Sequence, residues 1–197
     1  MRLVMPRQKH ARAEAGFTLV ELMATIAVAL VLIVVAVPSF ERFFERYRLR
    51  SAVDDTLDIF AAARQGAVES DRNVNVTFGA STTAWCVGAV QQASPAQGDV
   101  VPVTPTACEC SSAPDACLVA GKQLVASAGT KGVTIGAGGA TFTFDSKNGT
   151  LDPLGTQSID FISPKGNFGL TVRVTPLGQA RACVPTGKPS IPGYYSC

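Results

Sequence analysis

The N-terminal part of the chain contains one long apolar run, which predicts a helix. From Leu22 to Val37 there are 16 residues without a charge, and a helix of that length measures about 24 Å. Including Phe17–Val20 extends it to about 30 Å, which is enough to cross the hydrocarbon core of a membrane. Proline lacks an amide donor and clashes with the preceding turn, so we expect Pro38 to bend or loosen this helix.

Apolar residues continue beyond this proline at spacings of three and four, which predicts that the helix resumes and runs to about Gln65, stopping at Gly66. The predicted apolar face, which we expect a sheet to cover, consists of Phe40, Phe44, Tyr47, Val53, Leu57, Phe60 and Ala61. Charged residues between them are expected to form a stripe that faces solvent or a neighbouring subunit. The members of this stripe are Glu41, Arg42, Glu45 and Arg46.

After Arg72 the pattern changes to an alternation with period two, which is typical of strands. The predicted strand segments are Val74–Phe78, Trp85–Ala89, 133–135, Thr141–Phe144, 159–161 and 170–174. Turns or flexible loops are expected at Gly79–Thr83, Gly136–Gly139 and Asp145–Gly149, and a long loop at 91–121. The predicted fold class is therefore α+β, with a long N-terminal hydrophobic helix packed on an antiparallel β-sheet and disulfide-stapled loops.

Composition and charge argue against several classes of function. Of the 197 residues, 47% are hydrophobic and 16% are charged, and the formal net charge is +2. Residues 1–16 carry a net +3 and the remainder a net −1, so bulk charge gives no case for nucleic-acid binding by the main body. The one histidine, His10, lies in the basic leader. Without a histidine the body has no Ser-His-Asp or Cys-His relay, and we expect no enzyme activity and no cofactor.

Six cysteines indicate a disulfide framework. A pair of Cys183 and Cys197 would close a loop of about 15 residues, a constraint of roughly 3 kcal/mol. The remaining pairings stay open, although two cysteines only two residues apart are poor mutual partners. The cysteines without an assigned partner are Cys86, Cys108, Cys110 and Cys117. An alternative metal site at 108–117 lacks a standard zinc spacing and a histidine, so we expect no metal.

The apolar run has two ordinary explanations, a secretory signal peptide and a plain membrane anchor. Neither explains Glu21, which lies inside the apolar block, because a carboxylate at such depth costs several kcal/mol unless it is paired. A free amine at the new N-terminus of another molecule would be a suitable partner. Two unit charges about 4 Å apart attract by roughly 4 kcal/mol at an effective dielectric constant of about 20.

The segment Gly16-Phe17-Thr18-Leu19-Val20-Glu21-Leu22, with Pro38 further along the helix, resembles the class III leader of type IV pilins and type II secretion pseudopilins. The resemblance implies that prepilin peptidase cuts between Gly16 and Phe17 and N-methylates Phe17. It also implies that Glu21 engages the N-terminal amine of a neighbouring subunit, another minor pilin or pseudopilin of the same filament. Glu21 and Pro38 are thus the predicted assembly residues.

Basic residues on the two sides of the helix are equal in number, so they do not decide its orientation. The cysteines place the C-terminal body in an oxidising compartment. We therefore expect a single-pass inner-membrane protein with a periplasmic C-terminal domain, which later enters a pilus or pseudopilus. The predicted segments are a leader (1–16), a transmembrane or filament-core helix (17–39), its amphipathic continuation (40–66) and a β-rich globular domain (67–197).

The globular part is similar to the GspH/FimT group, which includes FimU-like minor pilins and the H pseudopilin of type II secretion. The similarity lies in Trp85-Cys86-Val87-Gly88 and in Gly178-Gln179-Ala180-Arg181-Ala182-Cys183, among other segments. It implies a role in initiating or capping a type IV pilus, or alternatively in a type II secretion pseudopilus.

The same group implies a further alternative, DNA binding during uptake. Some members bind DNA through a Gly-Arg-x-Arg motif in a C-terminal loop. Here Gln179 replaces the first arginine, so one phosphate contact is missing. Arg181 is the candidate DNA contact and Lys188 adds charge nearby, although Arg181 is more simply explained as a surface strand residue.

Overall fold

The computed structural model describes residues 17–80, 85–93, 108–127, 132–138 and 141–197. Contacts divide the chain into two units, one ending at Glu41 and the other covering Arg42–Cys197. In the first unit the described residues form the apolar beginning of helix α1, which spans Leu19–Ser70. The cleavage residue Gly16 lies outside the described residues, and the predicted bend at Pro38 stays a prediction.

Helix α1 continues four residues beyond the predicted stop, because Gly66 serves a packing purpose and not a capping one. A Cβ atom at position 66 would meet Cγ1 of Val119 at 2.3 Å. The missing side chain thus lets a neighbouring strand approach the helix closely. The helix is followed by Asp71, which has a positive φ of 50°, a backbone conformation that aspartate tolerates better than most residues.

The second unit contains short antiparallel strands. Among the described residues, six strands overlap the segments predicted from alternating apolar residues; the other five do not, and one of these, Leu118–Val119, lies inside the loop expected at 91–121 because it pairs with Lys122–Gln123. The strands are β1 (Val74–Ala80), β2 (Trp85–Gln91), β3 (Leu118–Val119), β4 (Lys122–Gln123), β5 (Val125–Ser127), β6 (Thr134–Gly138), β7 (Phe142–Phe144), β8 (Leu151–Asp152), β9 (Gln157–Ile162), β10 (Gly169–Val174) and β11 (Ala180–Cys183). Among the described residues they form a sheet in the order β5-β2-β1-β7-β8, a second sheet in the order β11-β10-β9-β6, and the hairpin β3-β4.

Two segments that the sequence predicts as turns or loops belong partly to strands β1 and β6. Gly79 and Ala80 belong to β1, and positions 81–83 of that predicted turn lie outside the described residues. The expected loop at Gly136–Gly139 is strand β6 up to Gly138, because pairing with β9 supplies order that the local glycines do not predict. The turn at Asp145–Gly149 is confirmed, with Oδ2 of Asp145 accepting hydrogen bonds from the amides of Lys147 and Asn148 at 3.0 and 3.2 Å.

The second half of α1 packs on the sheets through an apolar face that differs from the predicted one. The helix contributes Leu49, Ala52, Val53, Ile59, Phe60, Ala63 and Ala67 to the core. Of the predicted face, Phe40, Phe44 and Tyr47 are exposed, as is Ala61. The slip in spacing near Arg50 rotates the apolar stripe, so the aromatic residues before it face away from the core. The α+β class with a helix on antiparallel sheets is confirmed.

Candidate functional site

The described chain begins at Phe17, and helix α1 starts two residues later. Oγ1 of Thr18 accepts a hydrogen bond from the amide of Glu21 at 3.3 Å. Thr-x-x-Glu is the sequence pattern of a capping box, of which this hydrogen bond is the threonine half. A carboxylate in the first turn is also favoured by the helix dipole. This cap was not predicted, although the pattern is readable from Thr18-Leu19-Val20-Glu21 alone.

The apolar segment that follows presents its side chains to the outside. Among the described side chains from Leu19 to Val37, the large apolar ones are between 49% and 74% exposed. In the described residues, no single helix meets the length and hydropathy of a membrane span, but the segments Leu19–Val34 and Ser39–Ser70 meet them when taken together. Such a surface requires a partner or a membrane to cover it.

Glu45, which the sequence analysis assigned to a stripe facing solvent or a neighbouring subunit, is instead buried within its own chain, with 5% of its surface exposed. One carboxylate oxygen accepts hydrogen bonds from the amide of Lys165 at 2.9 Å and from Oγ of Ser163 at 3.3 Å. The other accepts a hydrogen bond from Nδ2 of Asn167 at 3.0 Å. The turn between β9 and β10 therefore wraps the carboxylate, which explains why a charged side chain is stable there.

The C-terminal loop contacts helix α1 next to this position. Cys183 and Cys197 are disulfide-bonded, the pair that the sequence analysis favours. The guanidinium of Arg50 donates a hydrogen bond to the carbonyl of Pro192 and lies 5.8 Å from the ring centre of Tyr194. The hydroxyl of Tyr194 in turn donates to Oδ1 of Asp54 at 3.2 Å.

These contacts change the acidity of the tyrosine. Partial burial raises the pKa of the Tyr194 hydroxyl above its ordinary value of 10.0, and the neighbouring Asp54 raises this pKa further. The positive charge of Arg50 acts in the opposite direction. Net, the neutral form of Tyr194 is favoured in the folded protein.

A groove of about 260 Å³ lies beside the loop and is lined by Phe43, Arg46, Tyr47, Arg50 and Pro192. We call it the aromatic–arginine groove. The guanidinium of Arg46 lies 5.5 Å from the ring centre of Phe168, and its Nε donates to the carbonyl of Arg42 at 3.3 Å. In the described structure, Nε of Arg50 is buried and has no hydrogen-bond partner.

The four cysteines left open by the sequence form two disulfides, Cys86–Cys110 and Cys108–Cys117. They cluster with Val90, apart from the main core. Thr77 holds this cluster against strand β1, because its Oγ1 donates a hydrogen bond to the carbonyl of Cys108 at 2.7 Å. All the cysteines of the alternative metal site are thus engaged in disulfides.

The structure does not bring the two predicted DNA contacts together. Lys188 donates through Nζ to the carbonyl of Gly166 at 2.7 Å, at the far end of the β10–β11 pair from Arg181. Arg181 instead lies directly opposite Arg173 on strand β10. Both arginines are exposed, and sequence reasoning missed Arg173 because strand register is not readable from local spacing.

Arg181 also lines a larger groove of about 860 Å³ along helix α1. The groove contains the basic residues Arg64 and Lys147 as well as the acidic residues Asp58 and Glu69. Arg64 is held in place, since its Nε donates to the carbonyl of Gly149 at 2.9 Å. The acidic groups offset much of the positive charge on this side of Arg181.

The N-terminal part of the chain matches a known family model. Residues 11–37 match the family model described as the prokaryotic N-terminal methylation motif. The chain carries an N-terminal methylation motif of the prepilin type. The matched range includes the predicted cleavage position and Glu21, so the leader recognised in the sequence is confirmed at the level of this motif.

None of the curated proteins matches this chain. Among solved structures, the type IV minor pilin FimU of Pseudomonas aeruginosa PAO1 in space group P21 is 18% identical, with a TM-score of 0.42. That match covers 72% of this chain and 91% of the other. A second crystal form of FimU, in space group P65, is 15% identical with a TM-score of 0.40, covering 68% and 90%.

Proposed function

We propose that this chain is a minor pilin of the GspH/FimT type, a structural subunit without enzyme activity that helps to initiate or cap assembly of a type IV pilus. The observation that carries the proposal is the N-terminal methylation motif at residues 11–37. Prepilin peptidase and neighbouring pilins are the partners that this role requires.

The start of helix α1 is suited to such a role. Cleavage after Gly16 would make Phe17 the first residue, with its free amine just ahead of the helix. Glu21 lies in the first turn and is exposed, so its carboxylate is available to the amine of a neighbouring subunit. At about 4 Å this pair would be worth roughly 4 kcal/mol at an effective dielectric constant of about 20.

The three disulfides support the proposed location of the globular unit. Described cysteines are all paired, and such bridges form and persist in oxidising compartments such as the bacterial periplasm. The apolar first unit would then anchor the chain in the inner membrane before assembly, with the cysteine-bearing unit in the periplasm.

Mass spectrometry of the mature protein tests the proposal. We expect its first residue to be Phe17, carrying one methyl group on its amine. A mature protein that starts near Ser39 would identify a conventional signal peptide, and one that retains Met1 would exclude processing. Either result would refute the proposed function.

Deletion of the gene identifies the machine that this subunit joins. We expect loss of pili and of twitching motility, with normal release of exported proteins. The opposite phenotype, blocked release with normal pili, would assign the chain to a type II secretion pseudopilus as its H-type member.

A second candidate function is DNA binding, which one observation favours. Arg173 lies opposite Arg181 on the neighbouring strand, so two exposed guanidinium groups share one face and can each contact a phosphate. Replacing either arginine by glutamine should weaken a DNA mobility shift at low salt, whereas Lys122→Gln, at an exposed lysine of strand β4, should not. No shift at low salt would remove this candidate.

A further inference from the structure

We propose that the open edge of strand β11 binds an extended, acidic segment of a neighbouring subunit as an additional strand of the sheet. Strand β11 spans Ala180–Cys183 and lies at the end of the sheet β11-β10-β9-β6. The inference rests on the proposed function only for the source of the segment. What it adds is the mode of recognition, which is backbone pairing along a sheet edge.

Backbone groups on this edge point away from β10 at alternate residues. The amide of Thr175 donates to the carbonyl of Gln179 at 2.9 Å, just before β11 begins. Residues of an antiparallel pair alternate between those that exchange hydrogen bonds and those that do not, so Arg181 bonds to β10 whereas Ala180 and Ala182 face the other way. Within the described part of the chain, no strand of the sheet lies on that side of the two alanines. Their amides and carbonyls are therefore available to an incoming strand.

The same edge already accepts a segment of this chain one residue beyond β11. The amide of Val184 donates to the carbonyl of Tyr195 at 2.7 Å, and the amide of Cys197 donates to the carbonyl of Val184 at 2.9 Å. Val184 thus pairs in parallel with Ser196 of the C-terminal tail. The tail stops at this point, so in the described structure it leaves the two alanines uncovered. An incoming strand would extend a pairing that the fold already uses.

The groove beside this edge supplies an apolar floor. Its volume is about 860 Å³, and strand β11 and helix α1 both line it. Ala180 and Ala182 pack partly against the core, so their face of the sheet is the one that the helix covers. There the helix contributes Leu57 and Val68 to the groove, and Val68 is 47% exposed. Every second side chain of an added strand would lie on this floor, which favours apolar residues at those positions.

Charge on the opposite face favours carboxylates at the remaining positions. Arg173 and Arg181 lie directly opposite each other, and both are exposed. A residue of the added strand facing Arg181 would have its Cβ atom about 4.5–5.5 Å away, where an opposite charge is stabilising and a like charge is destabilising. The acidic residues of the groove, Asp58 and Glu69, belong to helix α1 and oppose carboxylates only on the inner face. The favoured segment therefore alternates apolar residues with acidic ones.

A second copy of this chain is a poorer occupant of the edge. Antiparallel pairing of β11 with its copy, through the alanines whose backbone groups are open, places Arg181 opposite its own copy. Like charges directly opposite each other on neighbouring strands are destabilising. The arginine thus disfavours self-pairing and favours a partner that carries a carboxylate.

Fluorescence anisotropy with a labelled peptide tests the proposal on the detergent-solubilised full mature chain. The probe is a short end-capped peptide of alternating valine and glutamate, and its matched control has lysine in place of every glutamate. We expect the acidic peptide to bind at least about tenfold more tightly than the basic one. Equal binding of the two peptides, or no binding of the acidic one, would overturn the proposal.

N-methylation of the acidic peptide separates strand addition from simple charge attraction. Methyl groups on the valine amides remove the donors that face β11 in antiparallel addition, and methyl groups on the glutamate amides remove those that face it in parallel addition. We expect one methylated peptide to bind at least about tenfold more weakly than the parent and the other to bind like the parent. Unchanged binding of both methylated peptides would contradict backbone pairing.

Arg181→Glu tests the charge that selects the partner. This variant should reverse the preference and bind the basic peptide about tenfold more tightly than the acidic one, a gain that misfolding does not produce. Lys122→Glu makes the same change of charge at an exposed lysine of β4 and should keep the wild-type preference. An unreversed preference in Arg181→Glu would refute the proposed recognition. Binding of duplex DNA without binding of the acidic peptide would refute it as well and favour the DNA-binding candidate.

The outcome is separable from that of the proposed function. Peptide binding is measured on the purified chain and does not depend on pilus assembly. Correct processing at Phe17 without binding of the acidic peptide would refute only the strand addition, whereas the expected peptide preference in a chain that retains Met1 would refute only the pilin role.

Discussion

Glu45 connects helix α1 to the turn between strands β9 and β10. Its carboxylate accepts hydrogen bonds from three groups of the turn between β9 and β10. Oγ of Ser163, which donates to Glu45, also accepts a hydrogen bond from the amide of Phe168 at 3.0 Å. One side chain thus links the helix, the turn and the start of β10.

Replacing Glu45 by alanine should lower the free energy of unfolding by about 3 kcal/mol, because buried donors lose their acceptor. Glu45→Gln should lower it less, since the amide keeps one acceptor oxygen. Denaturant unfolding followed by the fluorescence of Trp85, which is buried, measures both effects.

A matched control is Asp58→Ala, which removes an exposed carboxylate from the same helix. Its effect should stay within about 0.5 kcal/mol. Equal losses for the variants at positions 45 and 58 would show that the hydrogen bonds of Glu45 add nothing to stability.

At the scale of elements, strand β2 lies directly beneath a disulfide. A Cβ atom at Gly88 would meet Sγ of Cys108 at 2.4 Å and Sγ of Cys117 at 2.8 Å. Disulfide-bonded sulfurs cannot move far, so only glycine fits at this position of the strand.

Gly88→Ala should therefore destabilise the protein by about 2 kcal/mol through overpacking and leave free thiols at Cys108 and Cys117. Thiol alkylation with mass analysis counts them. Gly155→Ala is the control, because the nearest heavy atom to its added Cβ would be the carbonyl oxygen of Pro153 at 4.0 Å. Complete oxidation of the Gly88 variant would contradict the predicted clash.

The C-terminal loop should make stability sensitive to alkaline pH. The pKa of Tyr194 is raised above 10.0 by burial and by Asp54, so the folded state holds this proton more tightly than the unfolded state does. That contribution is fully present below the unfolded-state pKa and is lost as pH rises through the folded-state pKa.

The free energy of unfolding of the wild-type protein should fall as pH rises above 10.0, because Tyr194 loses its proton. Tyr194→Phe has no such proton and should show a smaller fall over the same pH range. Chemical denaturation at pH values on both sides of that point measures it. Tyr195→Phe, at a side chain that is 88% exposed, should retain the wild-type profile. Identical profiles for all three proteins would exclude a role for Tyr194.

An element could be predicted from the sequence where neighbouring residues determine it, and not where its partners are distant in the sequence. Six of the described strands follow from alternating apolar residues, and the turn at Asp145 follows from its own side chain. The sequence predicted a helix stop at Gly66 because the partner of this glycine, Val119, is distant in sequence. For the same reason Glu45 was assigned to a stripe facing solvent or a neighbouring subunit and Arg173 was missed, since only tertiary packing and strand register reveal their partners.

At the scale of the whole molecule, the proposed assembly role depends on the beginning of helix α1. Glu21 has two candidate roles there, as part of the capping box with Thr18 and as the charge that pairs with a neighbouring amine. Glutamine also serves in a capping box but carries no charge, so Glu21→Gln separates the two roles.

Glu21→Gln should insert into the membrane normally and enter filaments far less, because an attraction of roughly 4 kcal/mol is removed, which is nearly a thousandfold in an equilibrium constant. Immunoblots of sheared filaments and of membranes measure both quantities. Thr18→Ala removes only the cap and should assemble nearly normally. Normal assembly of Glu21→Gln, with a defect in Thr18→Ala, would refute the pairing of charges.

The separation of the sulfur cluster from the main core has a consequence for how the protein matures. The core residues of helix and sheets include none of the cysteines, so the body can collapse while every thiol is still reduced. The disulfides Cys108–Cys117 and Cys183–Cys197 should then add stability to a body that is already packed. When the purified chain is fully reduced, we expect this body to resist protease while the tail beyond Cys183 is trimmed, and digestion of the whole body would contradict the expectation.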